Sequence, residues 1–390
     1  MRVMHVITGL GAGGAEAMLF KLVSANRTGG LCHSVVSLTD GGVFGGQLTA
    51  SGVPVTCLGM RRGVPGPIAL ARLVRLLRRD RPEVVQSWMY HANLLAGVAA
   101  TATRTPVVWG IHHSDVDRRN VKRLTRWTRS VSARLSGALP VRIVCCAESA
   151  LRSHVGLGYR ADRMVVIPNG FDLDRFAADS HARARLRHEL SIPSGAPVVG
   201  LVARVHPDKD HRTFLAAAGL VAQENREVLF LLAGEGATPS NPALSASVRE
   251  FGIAPRVRLL GLRSDVPRLL SALDVLVSSS RSEGFPQILG EAMLCGVPCA
   301  ATDCGDSREI VGPTGRIVPP RDPVALARAI MELLALAPGD RAALGNAARE
   351  RIVERYDIRV VARRYAALYA EVCGSSRSAS SGDGPVRARA

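Results

Sequence analysis

Val198-Val199-Gly200-Leu201-Val202-Ala203-Arg204 is the stretch on which the fold turns. An apolar run of this length, ending on a cation, reads as a strand buried on both faces. It also restarts a pattern of strand, loop and helix that the chain has already run through once. The first pass has strands at Val3–Ile7, Ser34–Leu38, Val53–Leu58, Val84–Ser87, Val107–Ile111, Ile143–Cys146 and Met164–Ile167, with helices at Glu16–Ala25, Ile68–Arg78 and Ala92–Ala102. The second continues through Val228–Leu232, Val257–Leu260, Val275–Ser278, Cys299–Thr302 and Gly315–Val318. Helices near Pro323–Leu336 and Arg341–Glu354 close it, and Ile358–Val372 forms a last one. The expected architecture is α/β, with two Rossmann-like doubly wound domains facing each other across a cleft. The turn-rich Pro168-Asn169-Gly170-Phe171-Asp172-Leu173-Asp174 forms the linker. This gives an N-terminal domain over 1–174, a C-terminal domain over 175–355 and a helix over 356–373 able to pack back on the first domain. A tail over 374–390, without apolar periodicity, is expected to be disordered.

Size and composition agree with two cores. The chain has 390 residues, 47% hydrophobic and 21% charged. No run approaches the ~20 apolar residues of a membrane span, and the apolar start Met1–Ile7 is too short for a secretory signal. The eight cysteines lack paired CxxC spacing and read as reduced cytosolic thiols. Cys295, Cys299 and Cys304 have no nearby His, so no metal site is expected. The net charge of +17 is uneven: residues 118–134 hold seven Arg or Lys and no acid, and residues 61–81 hold seven Arg against Asp80. Such segments suit anionic partners. Lys122, Arg123, Arg126 and Arg129 with Trp127, among Val121, Leu124 and Val131, form a basic amphipathic helix suited to an anionic membrane surface. Nucleic acid is not expected, because aromatic content is 4% and no recognition motif is present.

The chemistry concentrates in Ser282-Glu283-Gly284-Phe285-Pro286-Gln287-Ile288-Leu289-Gly290-Glu291-Ala292-Met293. Gly284 suits a tight turn and Pro286 the first helical position, so the helix would turn its free amides and positive dipole end toward an anion. Glu283 and Glu291 would meet hydroxyls. Upstream, Arg204 and Lys209 follow a strand, where open α/β sheets bind ligands, and Gly234 allows close backbone approach after the next strand. Two cations with two carboxylates suit a nucleotide-sugar. Gly9-Leu10-Gly11-Ala12-Gly13-Gly14, with Asp40 after the next strand, also satisfies a dinucleotide fingerprint. The extra Gly13 and the second domain's own cations speak against a nicotinamide site. Two Asp-x-Asp tripeptides, Asp115–Asp117 and Asp172–Asp174, fall in loop and linker and are not read as metal ligands.

Taken in order, Gly-Ala-Gly-Gly-Ala-Glu at 11–16, Ile-Pro-Asn-Gly-Phe-Asp at 167–172, Arg204 with Lys209, Ala-Gly-Glu-Gly at 233–236 and the Glu283 to Glu291 motif resemble the retaining glycosyltransferases of family 4, with the GT-B fold, of the polysaccharide or lipid-linked glycan type. The resemblance implies that Glu291 holds the donor ribose, Glu283 faces sugar hydroxyls, and Arg204 and Lys209 hold the diphosphate. It implies that the backbone of Phe285, Pro286, Gln287, Ile288 and Leu289 completes the phosphate cradle. Gly11, Gly13 and Gly14 resemble the loop near donor phosphate and acceptor, with Glu16 a further candidate, and Leu262 with Arg263 the region that meets the base. A His at the end of Val107–Ile111 resembles the one placed against the transferred sugar: His112 fits the register, His113 is its neighbour, and His91 is a weaker candidate.

The function expected on this basis is retaining transfer of a hexosyl unit from a nucleoside diphosphate sugar, a UDP-sugar first, to a glycan or polyprenyl-linked saccharide. No cofactor or metal is needed, and the expected place is the cytoplasm, on the inner face of the plasma membrane for a lipid-linked acceptor. Two rivals stand beside it. A nucleotide-sugar 2-epimerase would need no acceptor, and a basic nucleic-acid-binding protein would shift DNA without donor.

Overall fold

The computed structural model describes residues 1–11, 13–25, 30–60, 66–112 and 123–380, of which 375–380 by their backbone alone. The chain divides into two compact units, Met1–Gly170 with Ile358–Ala390, and Phe171–Asp357. The first contains strands β1 (Arg2–Ile7), β2 (Cys32–Ser37), β3 (Val55–Cys57), β4 (Val84–Trp88), β5 (Val107–Ile111), β6 (Arg142–Cys145) and β7 (Met164–Val166). Its helices are α1 (Gly14–Ala25), α2 (Gly42–Ala50), α3 (Pro67–Asp80), α4 (Tyr90–Thr103), α5 (Arg123–Leu135) and α6 (Glu148–Val155). The second unit has β8 (Val198–Val202), β9 (Leu229–Ala233), β10 (Val257–Leu259), β11 (Val275–Ser278), β12 (Cys299–Thr302) and β13 (Arg316–Val318). Helices α7 (Ser180–Glu189), α8 (His211–Glu224), α9 (Pro242–Glu250), α10 (Val266–Ser271), α11 (Gln287–Leu294), α12 (Ser307–Val311), α13 (Pro323–Ala335) and α14 (Pro338–Tyr356) surround it. The last helix, α15 (Ile358–Ser380), belongs to the first unit.

Both sheets are parallel, in the orders β3-β2-β1-β4-β5-β6-β7 and β10-β9-β8-β11-β12-β13. In each, the first strand is central and the chain reverses direction beside it, which leaves a switch point at the C-terminal edge between β1 and β4 and between β8 and β11. Uniform strand direction also puts every strand-to-helix loop of a unit at one edge. That single feature explains why the motif residues, scattered in sequence, gather.

In the first unit, Val3, Ile7, Trp88, Val108 and Val144 share one core with Met18, Leu19 and Leu22 of α1 and with Val361, Tyr365, Leu368 and Tyr369 of α15. The opposite face carries α4, flanked by α3 and α5, with Trp109 against Gly97 of α4. The second core centres on Val199, Leu201, Phe214, Phe230, Leu232, Val275 and Val277.

Several details depart from the sequence reading. The units part at Gly170 and Phe171, earlier than the expected 174, because Phe171 is fully buried among Phe285 and Tyr356, at ring centroid distances of 5.9 and 6.4 Å. Helix α2 was not expected from the glycine-rich Gly-Val-Phe-Gly-Gly-Gln-Leu-Thr-Ala; burial of Gly45 and Leu48 holds it where propensity does not. The tail is not wholly irregular either, since α15 runs on to Ser380. A helix already nucleated on a packed face extends through Ser and Ala at little further cost. Pro286 caps α11 instead of occupying its first turn.

Gly290 lies directly under the Phe171 ring; a Cβ there would come within 2.6 Å of Cε2 and closer still to Cζ. Gly290→Ala is therefore expected to destabilise the chain by about 1–3 kcal/mol, the range for overpacking a filled core. Chemical denaturation checks it, and an unchanged midpoint would refute the close packing.

Candidate functional site

The second unit's site grows from the loops after β8, β9, β11 and β12. Ser279 Oγ donates to the carbonyls of Lys209 and Asp210 at 2.9 and 3.1 Å. The Arg281 amide donates to the Asp208 carbonyl at 2.7 Å, and the Arg281 guanidinium to that of Pro207. The turn before α8 is thus riveted to the loop after β11. Asp210 ends that turn in the left-handed region at φ 46° and caps α8 by accepting from the Thr213 amide at 3.4 Å, while its other oxygen accepts from the Thr213 hydroxyl at 2.8 Å. Fixed this way, Lys209 Nζ reaches Glu283 Oε1, which also accepts from Ser280 Oγ at 2.7 Å. The ammonium is 25% exposed and the carboxylate 12%.

The other loops press onto this pair. Gly305, at φ 57°, follows β12, and a Cβ there would meet the Gly284 and Glu283 carbonyl oxygens at 2.6 and 2.7 Å. The next amide, Asp306, donates to the Gly284 carbonyl at 3.1 Å. Gly234, at φ 141°, lets the loop after β9 come so close to Ala203 that a Cβ would lie 2.8 Å from the Arg204 amide nitrogen. Only glycine serves at such positions. Arg204 is exposed at this edge and forms no ion pair among the described residues. Phe285 and Pro286 are buried, Gln287 and Ile288 half-buried, and Leu289 fully buried; Glu291 is half-buried one turn along α11. The arrangement offers an ammonium, a guanidinium and the N-terminal end of α11 to an anion.

Arg263, expected with Leu262 in the region that meets the base, has its side chain engaged in local ion pairs. Its guanidinium is clamped to Asp265 by two hydrogen bonds of 2.7 Å, with Glu189 at 3.6 Å. Leu262, in contrast, stands 81% exposed. Sequence reasoning missed Ser280 and the Gly305-Asp306 turn. The serines directly after Val275–Ser278, and a glycine following Cys299–Thr302, were the available signals.

In the first unit the loop after β1 packs on the loop after β2: Gly42, at φ 45°, touches the Leu10 carbonyl, and Thr39 Oγ1 donates to the Thr8 carbonyl at 3.0 Å. Asp40 uses its carboxylate on the Gly42 amide at 3.1 Å, a local turn contact. A Cβ at Gly11 would meet nothing within 4 Å, so the loop leaves room there. Gly14 opens α1. Glu16, in that first turn, folds its carboxylate over Gly13, and burial raises its pKa. Its position suits helix capping as well as ligand contact. His112 follows β5, half-buried, its ring stacked on Trp88. His91 sits in the first turn of α4, and burial lowers its pKa. His113, like Asp115–Asp117 and the start of the basic segment, lies outside the described residues. Among the described residues no group of three or more His, Cys, Asp or Glu could hold a metal ion, and no helix is long and apolar enough to cross a membrane.

Comparison with known proteins covers both units. Residues 12–175 match the family model Glycosyltransferase Family 4, and residues 196–336 match the model Glycosyl transferases group 1. The chain is 25% identical to the UDP-Gal:alpha-D-GlcNAc-diphosphoundecaprenol alpha-1,3-galactosyltransferase of Escherichia coli, over 72% of each chain. It is 29% identical to the 2-deoxystreptamine glucosyltransferase of Streptomyces kanamyceticus, over 79% of this chain and 82% of that one. HepE of Anabaena, solved in complex with UDP, superposes with a TM-score of 0.83 at 22% identity, covering 95% of this chain and 100% of the other.

Two buried imidazoles, His5 and His211, and the half-buried His33 make stability depend on acid. Burial pushes His211 and His33 down to about 4 and His5 well below its ordinary value near 6.5. Between pH 6.5 and 4 the unfolded chain takes up protons that the folded chain refuses, so stability falls as pH falls through that window. Thermal denaturation should show Tm dropping from pH 6.5 to 4, with a shallower slope in His211→Asn; equal slopes would contradict the burial.

Proposed function

The chain belongs to glycosyltransferase family 4, with two Rossmann-like units of the GT-B type, and on that premise we propose that it moves a hexosyl unit from a UDP-sugar to a lipid-linked saccharide with retention at the anomeric carbon. The observation that carries the reading is the Lys209–Glu283 contact at the C-terminal edge of β8 and β11, beside the N-terminus of α11. In this proposal Lys209 and Arg204 take the diphosphate oxygens, the α11 amides complete the cradle, and Glu283, released from Lys209 toward the ligand, accepts from sugar hydroxyls. Glu291 takes the ribose and Leu262 borders the base. His112 touches the transferred sugar.

Bond cleavage between the anomeric carbon and the leaving phosphate oxygen is matched by bond formation to the acceptor oxygen on the same face. The acceptor's proton passes to that leaving oxygen. Two cations and a helix dipole supply the charge stabilisation that a metal would otherwise give, so no metal is required. The choice of UDP draws on the relative named for UDP-Gal and on the UDP-bound structural neighbour. Lys209→Ala is expected to lower transfer by about 10²-fold or more, the scale of losing one charge-stabilising group. It should also abolish thermal stabilisation by UDP, which in the native chain exceeds that by GDP or ADP. Unchanged turnover and an unchanged shift would refute the assignment.

A lipid-linked acceptor is supported by the row of α3, α4 and α5. Helix α3 exposes Ile68 at 69% together with Arg72, Arg75 and Arg78, and α5 exposes Trp127 at 57% together with Leu124 and Arg123. Apolar tips within a cationic field match an anionic bilayer surface, where each Lys or Arg contributes about 1 kcal/mol. The chain should co-sediment with phosphatidylglycerol vesicles, less so at 0.5 M salt (roughly a 4 Å screening length), and several-fold less as Trp127→Ala. Salt-independent sedimentation, or none, would sink this acceptor surface while leaving the donor site untouched.

A further inference from the structure

Four rings run across one face of the first sheet. Ile7 of β1 is paired with Trp88 of β4, and Trp88 with Gly110 of β5, so His5, Trp88 and His112 return to the same side by strand alternation. His33 of β2 joins them: its Nδ1 lies 2.9 Å from His5 Nε2. Trp88 Nε1 donates to His5 Nδ1 at 3.2 Å. The indole then stacks on the His112 imidazole, with centroids 4.8 Å apart and planes inclined by 18°. Tyr365 of α15 lies near the indole as well, at 6.3 Å and 24°.

The hydrogen-bond direction follows from chemistry. An indole N–H can only donate, so His5 must accept at Nδ1 and carry its proton on Nε2, which donates to His33. Both imidazoles are therefore neutral, in keeping with the burial that lowers their pKa values. Trp88 is fully buried, and a buried indole without an acceptor would be penalised, so His5 fixes its orientation. Gly110 preserves the space: a Cβ would meet the Ser87 carbonyl oxygen at 2.7 Å and His112 Nε2 at 3.3 Å. The residue after Trp88, Met89, holds φ 73° and ψ 159°, a conformation proper to glycine. Strain of this kind persists where the surroundings impose it, and it marks the point at which the chain leaves β4 beside His112.

We propose that Trp88, oriented by His5 and stacked on His112, is the positioning residue that sets the plane of the His112 ring, and that both act on transfer through His112. The proposal rests on the reading of His112 as the residue that touches the transferred sugar, and its test separates the two.

The full-length chain, labelled with ¹³Cε1-histidine, gives a His112 signal identified by its loss in His112→Ala. A stacked indole shifts that signal by its ring current. His5→Leu, which removes the acceptor, should displace the His112 signal, and His5→Gln, which keeps an acceptor and a donor, should return it. A signal unmoved in His5→Leu overturns the positioning role. In parallel, UDP release from UDP-glucose is followed with Trp88→Phe, His112→Ala and the double variant. Trp88→Phe should lower kcat about tenfold with KM for the donor unchanged, and cost nothing further in the His112→Ala background. Independent, multiplying losses overturn action through His112. If His112→Ala leaves turnover intact, the catalytic reading of His112 falls, and with it the proposed effect on transfer, while the spectra still report whether Trp88 orients the ring.

Discussion

Uniform strand direction is the constraint from which the rest of this structure follows. In a parallel sheet each connection must cross back over a face, so every loop that follows a strand emerges at one edge. The loops after β8, β9, β11 and β12 therefore meet without any direct sequence relation between them. The same constraint buries both faces of each sheet, which is why the central strands read as apolar runs.

Within that frame, the Lys209–Glu283 pair is the costly element. A carboxylate this enclosed loses much of its hydration, and the ammonium and the Ser280 hydroxyl offset that loss. In the proposed function this paired cation and carboxylate, beside a helix N-terminus, exchange partners when a diphosphate and sugar hydroxyls arrive together. Rigid backbone contacts make the exchange local. Gly234, Gly305 and the Ser279 bonds fix the loops, so side chains can move while the cradle does not.

Much of this was legible in the chain alone. Val198–Val202, Val275–Ser278 and Cys299–Thr302 have the ends expected of them, because short apolar runs bounded by Pro, Asp or Gly leave little choice of register. Lys209 and Glu283 could be singled out as residue types suited to a diphosphate and a sugar. Arg263 could equally be singled out, yet its neighbour Asp265 claims it, and nothing in a list of residues ranks one partner above another. Helix α2 was hidden because its stability comes from the Leu10 loop pressing on Gly42 and from burial of Leu48, both long-range effects.

The order of apolar strands and helices, the glycines at strand ends and the spacing of Glu283 and Glu291 were determined by the sequence itself, since they depend on local periodicity and backbone permission. Tertiary structure alone decided which charges met, which ring lay on which, and that the final helix α15 would pack beside α1 on the first sheet. The reason is physical: pairing energies depend on distances and desolvation, and those exist only once residues such as Lys209 and Glu283, 74 positions apart, have been brought together.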